Sequence, residues 1–490
     1  MKLFQKDSAF YKKVLWLALP IAGQSLITVG VNMLDTIMLG KIGSELAPEI
    51  GAEAAKIVSS NSVSAAAFAN SFIGIYHILC MGLGMGASVL VSRYWGMKQH
   101  TADAIASSDD VDPGTAMKQT VSLMLRLTLG LALIFASLSA FVPKFLIGTY
   151  VSSNDPERAN IIAYGTGYLR YSIPSFFFLG TSLVVTIVLR SVGQALYPLF
   201  VSIGALFVNL IGNYMLIFGK WGAPRMEVEG AALATLIARV FEATCILVYL
   251  FIIDKKIRFR IRDLFMSCKS LVGEYFRICI PVVISDGLLA FGNNTFAMII
   301  GNLGFGTANS ITNVTQQMST VGIQGVCQAG AIVTGQTLGT GDRERTMRQG
   351  WMFLGLGLAL GTISAAFIFG FSPLILGGYD VVEKDKEIAQ HLMEAISLII
   401  IFQATNSIMT KGVLRGGGDT KMLMVMDNVF LWAIALPLGA FAGFVLKLSP
   451  FWIYICLKSD QIIKAVWCFF RLKGGKWIKK ISTGSTADSK

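Results

Sequence analysis

Charge is what this chain lacks. Only 14% of its 490 residues are Asp, Glu, Lys or Arg, against roughly 25% in a soluble domain. A large soluble protein is excluded. Histidine is scarce as well: His77, His100 and His391 lie far apart and form no ligand pattern. The seven cysteines show no CxxC spacing and sit mostly within or beside apolar runs, so they read as small core residues. That argues against a disulfide framework or a metal site. Converging acid, base and nucleophile motifs are missing too, so no enzyme and no cofactor are expected. A cleavable leader is not expected, because the first apolar run is too long and lacks a small-residue cleavage site.

What is present is hydrocarbon. Hydrophobic residues make up 54% of the chain, and mean hydropathy is +0.63. Apolar runs of about 20 residues recur, each long enough to cross a bilayer as a helix. They predict an all-α polytopic membrane protein with twelve spans. These lie near 14–40, 62–92, 119–142, 165–189, 196–218, 230–253, 278–301, 310–335, 351–372, 391–411, 423–446 and 450–470. The net charge of +12 invites a nucleic-acid reading. The basic residues, however, fall in short loops and tails, where they signal topology. Lys2, Lys6, Lys12, Lys13, the stretch 255–262 and the tail from Arg471 to Lys480 share one side. Roughly 27 Lys and Arg fall on that side and roughly 9 on the other, which predicts cytoplasmic termini in a cell membrane.

The chain then repeats itself. Pro20 and GKIG (40–43) match Pro281 and GNLG (301–304) at an offset of 261. AMKQ (116–119) matches TMRQ (346–349) at 230, and LRSVGQ (189–194) matches LRGGGD (414–419) at 225. The extra residues of the first half fall chiefly in an outer loop near 44–61 and an inner loop near 109–114. Two six-helix lobes follow: 1–253, a linker 254–277, and 278–490 with its basic tail. Even-numbered halves insert the same way up, as in parallel-repeat transporters.

Asp35 stands inside the first apolar run, and a carboxylate in hydrocarbon costs a few kcal/mol unless it has a partner or a role. Partners exist at its depth. Asn209 and Asn213, four residues apart on one face of span five, and Thr235 on span six all reach the outer half of the first lobe. Two readings stand at this point. The carboxylate and amides bridge helices, or they bind an ion. Oxygen ligands suit Na⁺, and a carboxyl that can take up a proton suits H⁺.

The chain resembles the multidrug and toxic compound extrusion (MATE) transporters of the MOP superfamily. The likeness rests on VNMLDTIMLGKIG (31–43), GMGASVLVSRYWG (84–96), VLRSVGQALYP, VLRGGGDTK, and NLIGN followed by GAALAT (230–235). It implies efflux of amphiphilic, often cationic compounds in exchange for Na⁺ or H⁺. It also implies a first-lobe cation site on Asp35, Asn209, Asn213 and Thr235, with the Ala231 backbone as a further ligand. Two departures separate the chain from both main branches. The acidic positions of NorM-type members in spans seven and ten hold Leu289 and Ala404, and Asn213 stands where DinF-type members often carry Asp.

A second set of polar residues, Asp286, Asn293 and Asn294 on span seven, forms a candidate transport path in the second lobe. Asp286 is alternatively expected to face water or pair with Arg277. Arg239 and Glu242, one turn apart, are expected to pair. Asp109, Asp110 and Asp112 read as a solvated loop, and Lys458, Asp460 and Lys464 make span twelve unexpectedly polar. The expected function is a monomeric antiporter in the lipid bilayer, with a small amphiphilic substrate and no nucleic-acid partner. The alternatives are a lipid-linked oligosaccharide flippase, which would need clustered arginines, or an exporter of an endogenous metabolite.

Overall fold

In hydrocarbon a helix satisfies its own backbone N–H and C=O groups, so long apolar runs fold as helices. The computed structural model describes residues 7–101, 112–151, 156–377 and 383–479. Lys2, Lys6, Asp109, Asp110 and Lys480 lie outside them. Spans one to three are Ser8–Gly40, Ala52–Thr101 and Pro113–Phe141. Span four is a bent pair, Arg158–Ser172 and Ser175–Ser191, turned by 58° beside Pro174. Spans five and six are Leu196–Phe218 and Glu227–Val248, the latter closing in a π-turn, Tyr249–Ile253. Spans seven to nine are Lys269–Asn302, Gly306–Gly339 and Arg343–Gly377. Span ten, Glu383–Ser407, continues as a π-helix over Ile408–Leu414. Span eleven runs from Thr420–Val429 through π-helical turns to Phe441–Val445, and span twelve comprises Pro450–Leu457 and Ser459–Lys473.

Among the described residues, nine helices are long and apolar enough to cross a membrane, or ten with the bent pair. The remaining two spans, eight and twelve, fall short for visible reasons. Span eight is rich in Asn, Thr and Gln, and span twelve is broken at Lys458 and carries charge. Three expectations change. The first-half insertion at 44–61 is not a loop, because Ile42–Ile50 is helical and span two already starts at Ala52. Span seven begins at Lys269, inside the segment expected to be linker. Asp112 caps span three, accepting from the Gly114 and Thr115 backbone N–H groups.

Two large hydrophobic cores form among the described residues, and each borrows part of a helix from the other lobe. Phe10, Val14, Leu17 and Ile21, on the first half of span one, pack in the core of the second lobe. Leu271, Tyr275 and Ile278, on the first half of span seven, pack in the core of the first. Each of these helices carries a buried proline, Pro20 and Pro281.

Among the described residues, the hydrogen bonds joining the lobes lie in the half of the bundle that carries the termini. Arg93 donates to the Gly417 carbonyl (2.5 Å), Gln336 to the Ser191 carbonyl (2.7 Å) and Arg190 to Gln328 (2.6 Å). Glycines make this seam tight. A Cβ on Gly96 would lie 2.0 Å from the Gln336 carbonyl oxygen, and one on Gly339 2.1 Å from that of Arg93. The linker adds a strap: Arg126 donates to the Leu264 and Met266 carbonyls (2.5 and 2.6 Å). Arg126 therefore serves the linker.

Candidate functional site

The site is built where spans one, five and six converge in the first lobe. Gly230 lets span six start against span five: a Cβ there would lie 2.5 Å from the Leu216 carbonyl oxygen. The helix spacing of Asn209 and Asn213 aims both amides at span one. Asn213 Nδ2 then donates to Asp35 Oδ1 (2.5 Å) and to Asn209 Oδ1 (3.2 Å). Asn209 Nδ2 donates to Thr235 Oγ1 (3.3 Å). Asp35, Asn209, Asn213 and Thr235 thus form one hydrogen-bonded chain. Asn209 and Asn213 are buried, as is Ala231.

Asp35 opens onto a cavity of about 430 Å³ between spans one, two, four and six. Ala231 and Thr235 line it. So do four residues missed in the sequence: Asn70, His77, Tyr168 and Arg239. Tyr168 donates to Asn70 Oδ1 (3.3 Å) across the cavity wall. The only sequence signal for these four was polarity inside apolar runs, which does not say where a side chain points. Arg239 is already engaged, with Glu242 at 2.8 Å as expected. Among the described residues Asp35 has no cation within ion-pair distance. The Asn213 Oδ1 is buried without a hydrogen-bond partner. A carboxylate without a counter-charge beside an unsatisfied amide oxygen is a donor set that fits a small hard cation or a proton.

The second candidate set does not assemble. Asp286 faces neither water alone nor Arg277. Its carboxylate takes both guanidinium N–H groups of Arg415, at 3.0 and 3.2 Å. A bidentate pair of this kind is strong and geometrically specific. Asn293 and Asn294 are exposed along span seven, away from that pair. Leu289 and Ala404, at the acidic positions of NorM-type members, pack in the second core. The polar residues of span twelve close on one another: Lys464 lies 3.0 Å from Asp460 and 3.4 Å from Asp427 of span eleven.

Twelve spans in two duplicated lobes, with one uncompensated carboxylate facing a cavity, define a membrane protein of the two-lobe transporter class. The chain belongs to the MatE family, whose model matches residues 113–215 and 281–441. It is similar to a probable multidrug resistance protein NorM of Thermotoga maritima, 25% identical over 478 residues covering 96% of this chain and 93% of that one. A multidrug resistance protein NorM of Burkholderia vietnamiensis is 26% identical over 443 residues, covering 87% and 86%. The fold matches a structure described as the outward-facing conformation of a multidrug resistance MATE family transporter of the MOP superfamily. That match has a TM-score of 0.77 at 17% identity and covers 95% of this chain and 96% of that one. A MOP superfamily transporter from Pyrococcus furiosus, described as having a binding pocket of reverse polarity, matches with the same TM-score at 16% identity over 95% and 96%.

Proposed function

We propose that the protein is a secondary active antiporter of the cell membrane that exports amphiphilic, cationic organic compounds in exchange for Na⁺ or H⁺. The observation that carries this reading is Asp35, hydrogen-bonded to Asn213, facing a cavity, and without a cation of its own. The multidrug resistance proteins among its relatives support the substrate class. The basic loops and tail argue for cytoplasmic termini. With that orientation the glycine seam closes the cytoplasmic side, and the cavity belongs to an outward-open state.

Coupling follows from the geometry. A cation or proton on Asp35 replaces the Asn213 donation or changes its strength, and Asn213 is bonded on to Asn209 and Thr235. Ion occupancy therefore repacks spans one, five and six together and weakens substrate in the outward state. By reciprocity, substrate weakens the ion by the same factor. The protein works as a monomer, because each chain carries both lobes. A flippase for lipid diphosphates is disfavoured, since the buried arginines at the seam are committed to protein partners: Arg190 to Gln24 and Gln328, and Arg415 to Asp286.

The test is uptake of a fluorescent organic cation into proteoliposomes under Na⁺ and H⁺ gradients imposed separately. Wild-type protein responds to one of them, and Asp35→Asn to neither. An Asp35→Asn protein with full gradient-driven transport would remove this reading.

A further inference from the structure

The offsets that align the two halves in sequence also align their contacts. At 261, Gln24 corresponds to Ser285, and at 225, Ser202 corresponds to Asp427. Gln24 donates to Ser202 (3.2 Å) in the first lobe, and Ser285 to Asp427 (3.4 Å) in the second. Arg190 and Arg415 also correspond at 225, and each binds the first helix of its own half, at Gln24 and at Asp286. Carried to the cation site, the same offsets take Asp35 to Phe296, Asn209 to Ile434, Asn213 to Leu438 and Thr235 to Asp460, and they take Arg239 of the cavity wall to Lys464.

At these counterpart positions the charge is arranged differently. The Lys464 ammonium sits between Asp460 and Asp427, and the side chains of all three are at most 6% exposed. The Lys458 ammonium lies 4.2 Å from the centre of the Phe296 ring, a cation–π contact where the first lobe has a carboxylate. Two carboxylates thus meet two ammonium groups in the second lobe. In the first lobe, Asp35 is hydrogen-bonded to an amide, and the cation on its cavity wall, Arg239, is paired with Glu242.

The break in span twelve adds an independent sign. Ser459 Oγ and Asp460 Oδ1, both at the break, are buried without hydrogen-bond partners. Broken helices at membrane depth are where transporters place ion sites. The Asn406 amide donates to Gln461 (2.8 Å), and Gln461 donates to Asp460 (2.8 Å), so the oxygens are held in place. The second lobe therefore has the oxygen ligands of an ion site, with an ammonium lodged among them.

We propose that Lys464 is a tethered cation. Its ammonium fills, between Asp427 and Asp460, the place that an exchangeable monovalent cation would take. The second lobe then binds no coupling ion, and removing the lysine turns Asp427 and Asp460 into a Na⁺ site. Only the resulting stoichiometry, one ion per transport cycle, rests on the reading of Asp35 as the coupling site.

The test counts Na⁺ bound by the purified full-length protein in detergent, using radioactive Na⁺ at equilibrium. Asp35→Asn is compared with Asp35→Asn/Lys464→Ala, and the double variant is expected to gain one Na⁺ per chain. The gain is read against its own background, so it holds or fails whatever Asp35 itself does. A failure of the Asp35 reading shows separately, as equal Na⁺ and proton exchange by wild type and Asp35→Asn. Stability provides the second measurement. The Lys464→Ala protein is expected to melt higher in NaCl than in choline chloride, by more than wild type does. Should it fold poorly, rescue by NaCl over choline chloride is the same result. No gain of Na⁺ together with equal stability in the two salts overturns the proposal.

Discussion

The two lobes share a scaffold and differ in how they treat buried charge. In the first, Asp35 is held by the amide of Asn213 and opens onto a cavity. In the second, Asp427 and Asp460 are ion-paired with Lys464, and Asp286 with Arg415. A carboxylate left without a counter-charge is expensive in hydrocarbon and available for binding; one that is paired is held by its partner. Duplication supplied the same frame twice, and the placement of a few lysines and arginines decided which copy stays reactive.

Exchanging the treatment of the two lobes should break this contrast most visibly at Asp35. Asp35→Asn is expected to reduce gradient-driven efflux to the level of empty vesicles while the melting temperature holds, with both measured on the same preparation. Asp460→Asn should do the reverse. It leaves Lys464 short of a partner and costs about 3–5 kcal/mol of stability, read by thermal or denaturant unfolding in detergent. Substrate transport normalised to folded protein changes little. A finer cut is Asn213→Ala, which removes one hydrogen bond to a charged group. A loss of about 1.5–3 kcal/mol, or roughly 10- to 100-fold in apparent ion affinity, is expected from the ion dependence of efflux.

The smallest effect lies outside the membrane, on the linker. Asp263 accepts from the Arg260 backbone (2.9 Å) and pairs with Lys118 (3.0 Å). Partial burial pushes its carboxyl up, but the Arg260 hydrogen bond and the Lys118 charge outweigh that and hold it below the usual carboxylate range. A depressed pKa stabilises the fold above the unfolded value near 4 and loses that contribution as the pH falls through the folded value. Asp263→Asn should therefore cost about 0.5–1 kcal/mol at neutral pH, and the difference should fade under acid. A pH series of melting curves measures it.

The membrane fold was legible because its signal is length. Spans eight and twelve, polar or broken as helices, still showed as apolar runs near 310–335 and 450–470. The first-lobe site was legible for a related reason: Asn209 and Asn213 are four residues apart, and Asp35 and Thr235 share their depth. What the sequence hid is partnership across distance. Asp286 and Arg415 are separated by 129 positions, and nothing local in either segment favours Arg415 over the nearby Arg277. Asp427 was invisible as a site residue until span twelve folded back against it. The break at Lys458 lies between Leu457 and Ser459 without a proline or glycine to announce it. Tyr168, on the first half of the bent span four, and Asn70, on span two, meet on the cavity wall, and counting residues does not reveal that meeting.

The exchange of first helices has a consequence for how the protein is made. Phe10, Val14 and Leu17 pack in a core built mostly by the second lobe, whose helices leave the ribosome hundreds of residues later. Span one must therefore wait in the bilayer, half-packed, through the synthesis of the whole first lobe. The first lobe in turn lacks Leu271, Tyr275 and Ile278 until span seven arrives. Neither half can finish folding by itself. A chain severed in the linker should mature only when both pieces are made in the same cell.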